Sequence, residues 1–257
     1  MKKRIIPSIL LRGGTNVSLS QQFTPWRTVG ALAQQLRLHV RRNCDELLII
    51  NTDFAGSPQF CCPQRLLSLV RQEVDIPIAY AGGISSATDA ATCINAGFDK
   101  VYLTSIFLDE VSAVSAIASL IGSQSTGVCL PYRRCRNDTV PYVWDYRAAA
   151  IRRDLPLFDA LHTAAAGGAG EVLLYDVDRD GTLQGLDIDL LPELEGCRIA
   201  IPVLMAGGAG TASDVSAVLR STIVQGVVAG SIFALTQETP ATIRRHCENA
   251  GIEMRRP

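Results

Sequence analysis

The sequence predicts a single α/β domain in which eight βα units close into a (βα)8 barrel made of two duplicated halves. Three observations carry this. Short runs rich in Val, Ile and Leu recur along the 257 residues and end in polar or glycine-rich corners, each followed by a stretch with helical spacing, the alternation of βα units. Eight such runs are present. The chain also repeats itself: Ile76-Pro77-Ile78-Ala79-Tyr80-Ala81-Gly82-Gly83 aligns with Ile201-Pro202-Val203-Leu204-Met205-Ala206-Gly207-Gly208, and Glu46-Leu47-Leu48 with Glu171-Val172-Leu173, both 125 positions on, while Ser105-Ile106-Phe107 aligns with Ser231-Ile232-Phe233 at 126. A doubly wound open sheet usually lacks such duplication and shows one glycine fingerprint near its start. Two half-barrels of four units, about residues 1–124 and 125–257, forming one TIM barrel, account for the repeat.

The first strand is expected over 4–11, where Pro7 and Ser8 interrupt an Ile/Leu run, and its helix over 27–42. Strand 46–53 and helix 63–73 follow. The third strand, 78–82, runs into Gly82-Gly83, and Ser85-Ser86 open the helix 86–96. The fourth, 100–105, starts on Lys100 and ends on the hydroxyls of Thr104 and Ser105, ahead of helix 111–121. The second half repeats the order with 126–131 and 154–166, then 171–176 and 189–194. Strand 203–207 ends in Gly207-Gly208-Ala209-Gly210 and meets helix 212–219 through Thr211-Ala212-Ser213; strand 226–231 ends on Ser231 before helix 240–250. No long linker, low-complexity tract or charge run divides these units.

The 24 basic and 25 acidic residues leave a net charge of -1, which excludes a protein that coats nucleic acid. Charged residues are 19% of the chain, below the roughly 25% of an average domain, as a large core requires. Lysine occurs only at Lys2, Lys3 and Lys100; every other basic residue is Arg. The basic start is followed by too short an apolar run for a leader or an anchor, so a cytoplasmic protein without membrane contact is expected. The eight cysteines make no Cys-x-x-Cys pair, and the three histidines stand apart from them save His246 beside Cys247. Neither a metal site nor a cofactor is expected.

In such a barrel the loops after the strands form the working face. Gly82-Gly83 and Gly207-Gly208-Ala209-Gly210 let backbone N–H groups approach an anion at a helix start, and Thr104, Ser105 and Ser231 add hydroxyls one strand later. A lone Gly-Gly reads as a tight turn; two copies at matching positions favour a pair of phosphate sites. Asp176, Asp178 and Asp180, after the sixth strand, suit either a general acid–base role or a solvated loop. At the opposite face Arg4, Glu46, Lys100 and Glu171 each start a strand. Three lie on even-numbered strands, whose side chains share a layer, so opposite charges meet at the floor, as structural ion pairs or as a gate for a small polar molecule.

The residues resemble the cyclase subunit of imidazole glycerol phosphate synthase and its relatives of histidine biosynthesis. The resemblance covers essentially the whole chain and is carried by Arg4-Ile5-Ile6-Pro7, Asp45-Glu46-Leu47, Ala81-Gly82-Gly83-Ile84, Gly97-Phe98-Asp99-Lys100-Val101, Gly168-Ala169-Gly170-Glu171, Asp178-Arg179-Asp180-Gly181-Thr182, Gly207-Gly208-Ala209-Gly210 and Gly251-Ile252-Glu253. It implies a glutaminase docked beneath the barrel, ammonia travelling through the core past a gate of Arg4, Glu46, Lys100 and Glu171, and a phosphorylated substrate. Its two phosphates would fall on Gly82, Gly83, Thr104 and Ser105 at one end, and on Gly181, Thr182, Gly207, Gly208, Gly210 and Ser231 at the other.

There are departures. The family cyclises with an aspartate ending the first strand and another ending the fifth; alignment places Leu10 and Pro131 there. The family's lysine after the first strand is missing from Gly13-Gly14-Thr15-Asn16-Val17-Ser18-Leu19, and Asn51 stands for the aspartate ending its second strand. Each lost acid–base group removes about 10²–10⁴ in rate. A leucine at the first position resembles the paralogue of surface-polysaccharide gene sets, which implies a conduit pairing a glutaminase with a separate sugar amidotransferase. The other readings are a true cyclase using Asp178 or Asp180, and a non-catalytic scaffold.

Overall fold

The computed structural model describes residues 2–53, 64–135, 138 and 140–256. In chain order its elements are β1 (Arg4–Arg12), β2 (Asn16–Gln21), β3 (Thr24–Ala31), α1 (Leu32–Arg41), β4 (Leu47–Asn51), α2 (Gln64–Glu73), β5 (Ile78–Ala81), α3 (Ala87–Ala96), β6 (Lys100–Leu103), α4 (Ser105–Asp109) and α5 (Ser112–Ile121), followed by β7 (Thr126–Arg133), β8 (Tyr142–Asp145), β9 (Ala150–Pro156), α6 (Leu157–Ala166), β10 (Glu171–Asp176), α7 (Leu191–Gly196), β11 (Val203–Ala206), α8 (Ala212–Leu219), β12 (Val224–Ala229), α9 (Ser231–Leu235) and α10 (Pro240–Asn249).

Eight strands, β1, β4, β5, β6, β7, β10, β11 and β12, pair in parallel in that order, and β12 pairs back to β1, closing the (βα)8 barrel. Both faces of each strand are covered, so the strands read as continuous apolar runs: β10 is buried at every residue. Alternation splits them into two layers. Ile6, Leu48, Ala79, Tyr102, Leu173 and Leu204 point inward, while Ile5, Leu47, Ile49, Val101, Val172 and Val203 pack against the helices. Local chemistry fixes the helix starts: Ser86 accepts the Asp89 amide at α3, and Thr211 with Asp214 and Thr239 with Thr242 form capping boxes at α8 and α10.

β4 is shorter than expected, leaving Glu46 just before it, and β12 starts two residues early; the larger departures are four. Residues 24–31 are strand, and the first helix starts only at Leu32, because β3 finds an antiparallel partner in β2. Residues 154–156 likewise end β9, so α6 starts at Leu157. Thr104, Ser105 and Ser231 lie past their strand ends, at the start of the short helices α4 and α9. A 3-10 turn over Ile188–Leu190 precedes α7. Position 63 and two cysteines, 61 and 62, lie outside the described residues. The two hairpins are themselves a repeat: β8 and β9 each start 126 positions after β2 and β3. Among the described residues no helix is long and apolar enough to cross a membrane.

Candidate functional site

At the amino-terminal end of the barrel, strand starts bring together residues far apart in the chain. Arg4 donates from Nη2 to Glu171 Oε2 at 2.6 Å and from Nη1 to Glu46 Oε2 at 3.3 Å, while Lys100 Nζ meets Glu171 Oε1 at 2.5 Å. Arg4, Glu46 and Glu171 are buried, and the Lys100 side chain is 16% exposed. Two partners were not expected. Tyr102 donates its phenol to Glu171 Oε1, and Arg255 of the C-terminal segment reaches Glu46 Oε2 at 3.4 Å. Tyr102 was legible in principle, since it stands two residues after Lys100 on the same face of a strand; nothing local marks Arg255. Burial alone would raise the Glu171 carboxyl, but Arg4 and Lys100 outweigh it and hold it below its ordinary value. Burial first, then Glu171, pushes the Tyr102 phenol well above 10, so it stays a donor.

At the opposite end the described residues line a large cavity and a small one. One of about 510 Å³ is lined by Leu10, Asn51, Gly82, Gly83, Thr104, Ser105 and Pro131, together with Tyr102, Trp144, Tyr146 and Tyr175. Arg12 is the one charged side chain among its described lining residues, and no carboxylate is among them. Ser105 Oγ is already hydrogen-bonded to the Tyr146 hydroxyl at 2.6 Å. The second cavity, about 50 Å³, is lined by His39, Asp180, Gly181, Gly207, Gly208 and Ser231. Gly210 and Thr182 line neither: the Gly210 amide binds Asp214, and the Thr182 hydroxyl donates to the Arg179 carbonyl at 2.8 Å.

The glycines have a packing reason of their own. A Cβ on Gly82 would lie 2.2 Å from the Asn51 carbonyl oxygen, and one on Gly207 2.3 Å from that of Asp176, both at positive φ. Asn51 and Asp176 are themselves equivalent, 125 positions apart. Asn51 Oδ1 accepts the Asp53 amide at 3.1 Å and Asp176 Oδ1 the Asp178 amide at 2.9 Å.

The three carboxylates after β10 separate by environment. Asp180 is buried with both oxygens engaged, accepting from Ser20 Oγ at 2.7 Å, the Phe23 amide at 3.0 Å and the Tyr175 hydroxyl at 2.9 Å, so it anchors the β2–β3 turn. Asp178 is 40% exposed, 3.5 Å from an Arg133 nitrogen. Asp176, buried, is pushed up to about 6, chiefly by loss of water. His39, buried edge-on against Phe233, is pushed down to about 4 by burial and then by Arg42, which keeps it neutral. Among the described residues no group of His, Cys, Asp and Glu could hold a metal ion.

Residues 4–239 match the family model described as "Histidine biosynthesis protein". Over 258 residues the chain is 30% identical to the imidazole glycerol phosphate synthase subunit HisF of Streptococcus mutans serotype c, covering 99% of this chain and 100% of that one. It is 28% identical to a protein of Leptospira interrogans carrying the same name as putative, over 91% of this chain and 90% of the other. A putative subunit hisF2 of Prochlorococcus marinus is also 28% identical, over 99% and 98%. The chain belongs to the histidine biosynthesis protein family and is HisF-like.

Proposed function

We propose that this chain is the barrel subunit of a glutamine amidotransferase complex: a glutaminase docks on the amino-terminal face, and ammonia moves from the charged floor to the mouth, for amidation of a nucleotide sugar in surface-polysaccharide biosynthesis. The observation that carries this reading is the contrast between a floor of paired charges and a 510 Å³ mouth cavity with Leu10 and Pro131 in its wall and no carboxylate among its described lining residues. A barrel interior lined by Ile6, Leu48, Leu173 and Leu204 favours neutral ammonia over ammonium, because burial disfavours the charged form. Gly82, Gly83, Thr104 and Ser105 in the large cavity, and Gly181, Gly207, Gly208 and Ser231 in the small one, are the positions for a phosphorylated ligand; Thr182 and Gly210 would serve by shaping the loops of the second site. Delivery to a separate sugar amidotransferase completes the scheme. The test is co-expression with a glutaminase, followed by glutamine hydrolysis with and without this chain. Complex formation and faster hydrolysis are expected; no complex and no stimulation reject the proposal.

A cyclase acting in histidine biosynthesis is the second reading, favoured by the names of the relatives; Asp176, pushed up to about 6, is one candidate for proton transfer, although it lines neither cavity. Asp178 and Asp180 are its other candidates, although Asp180 would first have to release three donors. Turnover of the histidine-pathway intermediate with ammonium salts discriminates: the conduit reading expects essentially none. A closed, non-catalytic scaffold would instead keep full glutamine-dependent activity in Lys100→Ala.

A further inference from the structure

We propose that Tyr102 is the internal barrier of the barrel, a partition one side chain thick between the charged floor and the mouth cavity; the inference rests on the conduit reading above and names the residue that controls it. Among the described residues, Tyr102 alone both hydrogen-bonds a floor side chain and lines the 510 Å³ cavity. Arg4, Glu46, Lys100 and Glu171 do not line that cavity. Tyr102 is thus the described side chain that ties the floor to the wall of the mouth cavity, with Leu48 and Leu173, two residues above Glu46 and Glu171, beside it in the same layer.

The strand register shows how the barrier is seated. Tyr102 pairs with Gly127 on β7, and Gly127 pairs with Glu171 on β10, so the tyrosine must cross position 127 to reach its acceptor. A Cβ at Gly127 would lie 2.7 Å from two carbons of the Tyr102 ring. Space, not backbone conformation, demands glycine here. On the other side Tyr102 pairs with Ala81, so small residues, Gly127 and Ala81, flank the buried ring on both neighbouring strands. Glu171 Oε1 is shared by Lys100 and Tyr102, while Oε2 keeps Arg4. Lys100 and Tyr102 thus act in series: moving the lysine uncovers the floor, and only moving the phenol opens the space above it.

Water, close to ammonia in size, is the probe, and the isolated full-length chain suffices. Ile6 and Leu204 share Tyr102's interior cluster, are fully buried and line neither cavity, so their methyl groups report on water that reaches the barrel interior. In methyl-labelled protein, water cross-peaks to these methyls should be absent in the wild type, in Tyr102→Phe, which keeps the ring, and in Lys100→Ala, which removes only the outer barrier. They should appear in Tyr102→Ala, or in Tyr102→Ser if the alanine variant does not fold. Cross-peaks in the wild type or in Lys100→Ala, or a folded Tyr102→Ala that stays dry, overturn the proposal. A chain that binds no glutaminase defeats the conduit reading instead, and the same cross-peaks still decide whether Tyr102 is a barrier.

Discussion

The two ends of this barrel handle polarity in opposite ways. At the floor, Arg4, Glu46, Lys100 and Glu171 are withdrawn from water and hold one another, with Glu171 taking donors on both oxygens. At the mouth a large cavity is left open with a single charge, Arg12, in its described lining, and the carboxylates nearby are turned into the loops that shape it. A buried ion network is costly to break and poor at exchanging protons; an open cavity with hydroxyls, backbone amides and aromatic rings is a place to bind. The contrast teaches that the chain keeps its ionic precision at the floor and its open space at the mouth, which on the proposed reading are the entrance for something small and the seat for something larger.

The largest expected effect comes from breaking the floor. Glu171→Gln leaves Arg4 and Lys100 without their shared carboxylate and should lower stability by about 3–5 kcal/mol, read from denaturant unfolding. If the loss is no larger than for a surface ion pair, the floor does not hold the fold as argued. Next comes pH, which should separate the two ends by sign. Glu171 lies below its ordinary 4.5, so its contribution is present above that value and is lost as pH falls through its lower folded one. Asp176 lies above its ordinary 3.8, at about 6, so its contribution is present below 3.8 and is lost as pH rises through about 6. Carboxyl chemical shifts followed across pH 2–8 should show both midpoints; an Asp176 midpoint near 4 removes it as a proton carrier at neutral pH.

Two smaller effects sharpen the account of the mouth. Gly207→Ala forces a Cβ against the Asp176 carbonyl at positive φ and should cost about 1–3 kcal/mol, whereas Gly251→Ala, also at positive φ but with open space around it, should cost less. Equal losses in thermal unfolding would mean that backbone strain, not the close approach, demands the glycine. Asp180→Ala removes the acceptor for Ser20, Phe23 and Tyr175 and should cost about 1–3 kcal/mol. Amide exchange at Phe23 should speed up with it; an unchanged rate would free Asp180 for a chemical role.

Much of this was legible in the sequence, and the parts that were not share a cause. Apolar runs, glycine corners and the 125-residue repeat marked all eight barrel strands, and charges at strand starts marked the floor. The β2–β3 and β8–β9 hairpins were missed because a strand such as 24–31, which contains Trp26, Thr28 and Val29, declares itself only when a partner supplies its hydrogen bonds. The mouth was half legible. Glycines and hydroxyls recur in both halves, yet nothing local says that one set lines a cavity of about 510 Å³ and its repeat one of about 50 Å³.

By itself the sequence determined the barrel, its repeat, the approximate place of each barrel strand and where the backbone must turn tightly, because periodicity and glycine act over a few residues. Only the tertiary structure decided that Tyr102 lies across Gly127 to share Glu171 with Lys100, that Arg255 comes back from the C-terminal segment to Glu46, and that Asp180 is consumed by a hairpin 160 positions away at Ser20. Each of these depends on register between strands and on chain ends brought together by closure, which no window of neighbouring residues contains.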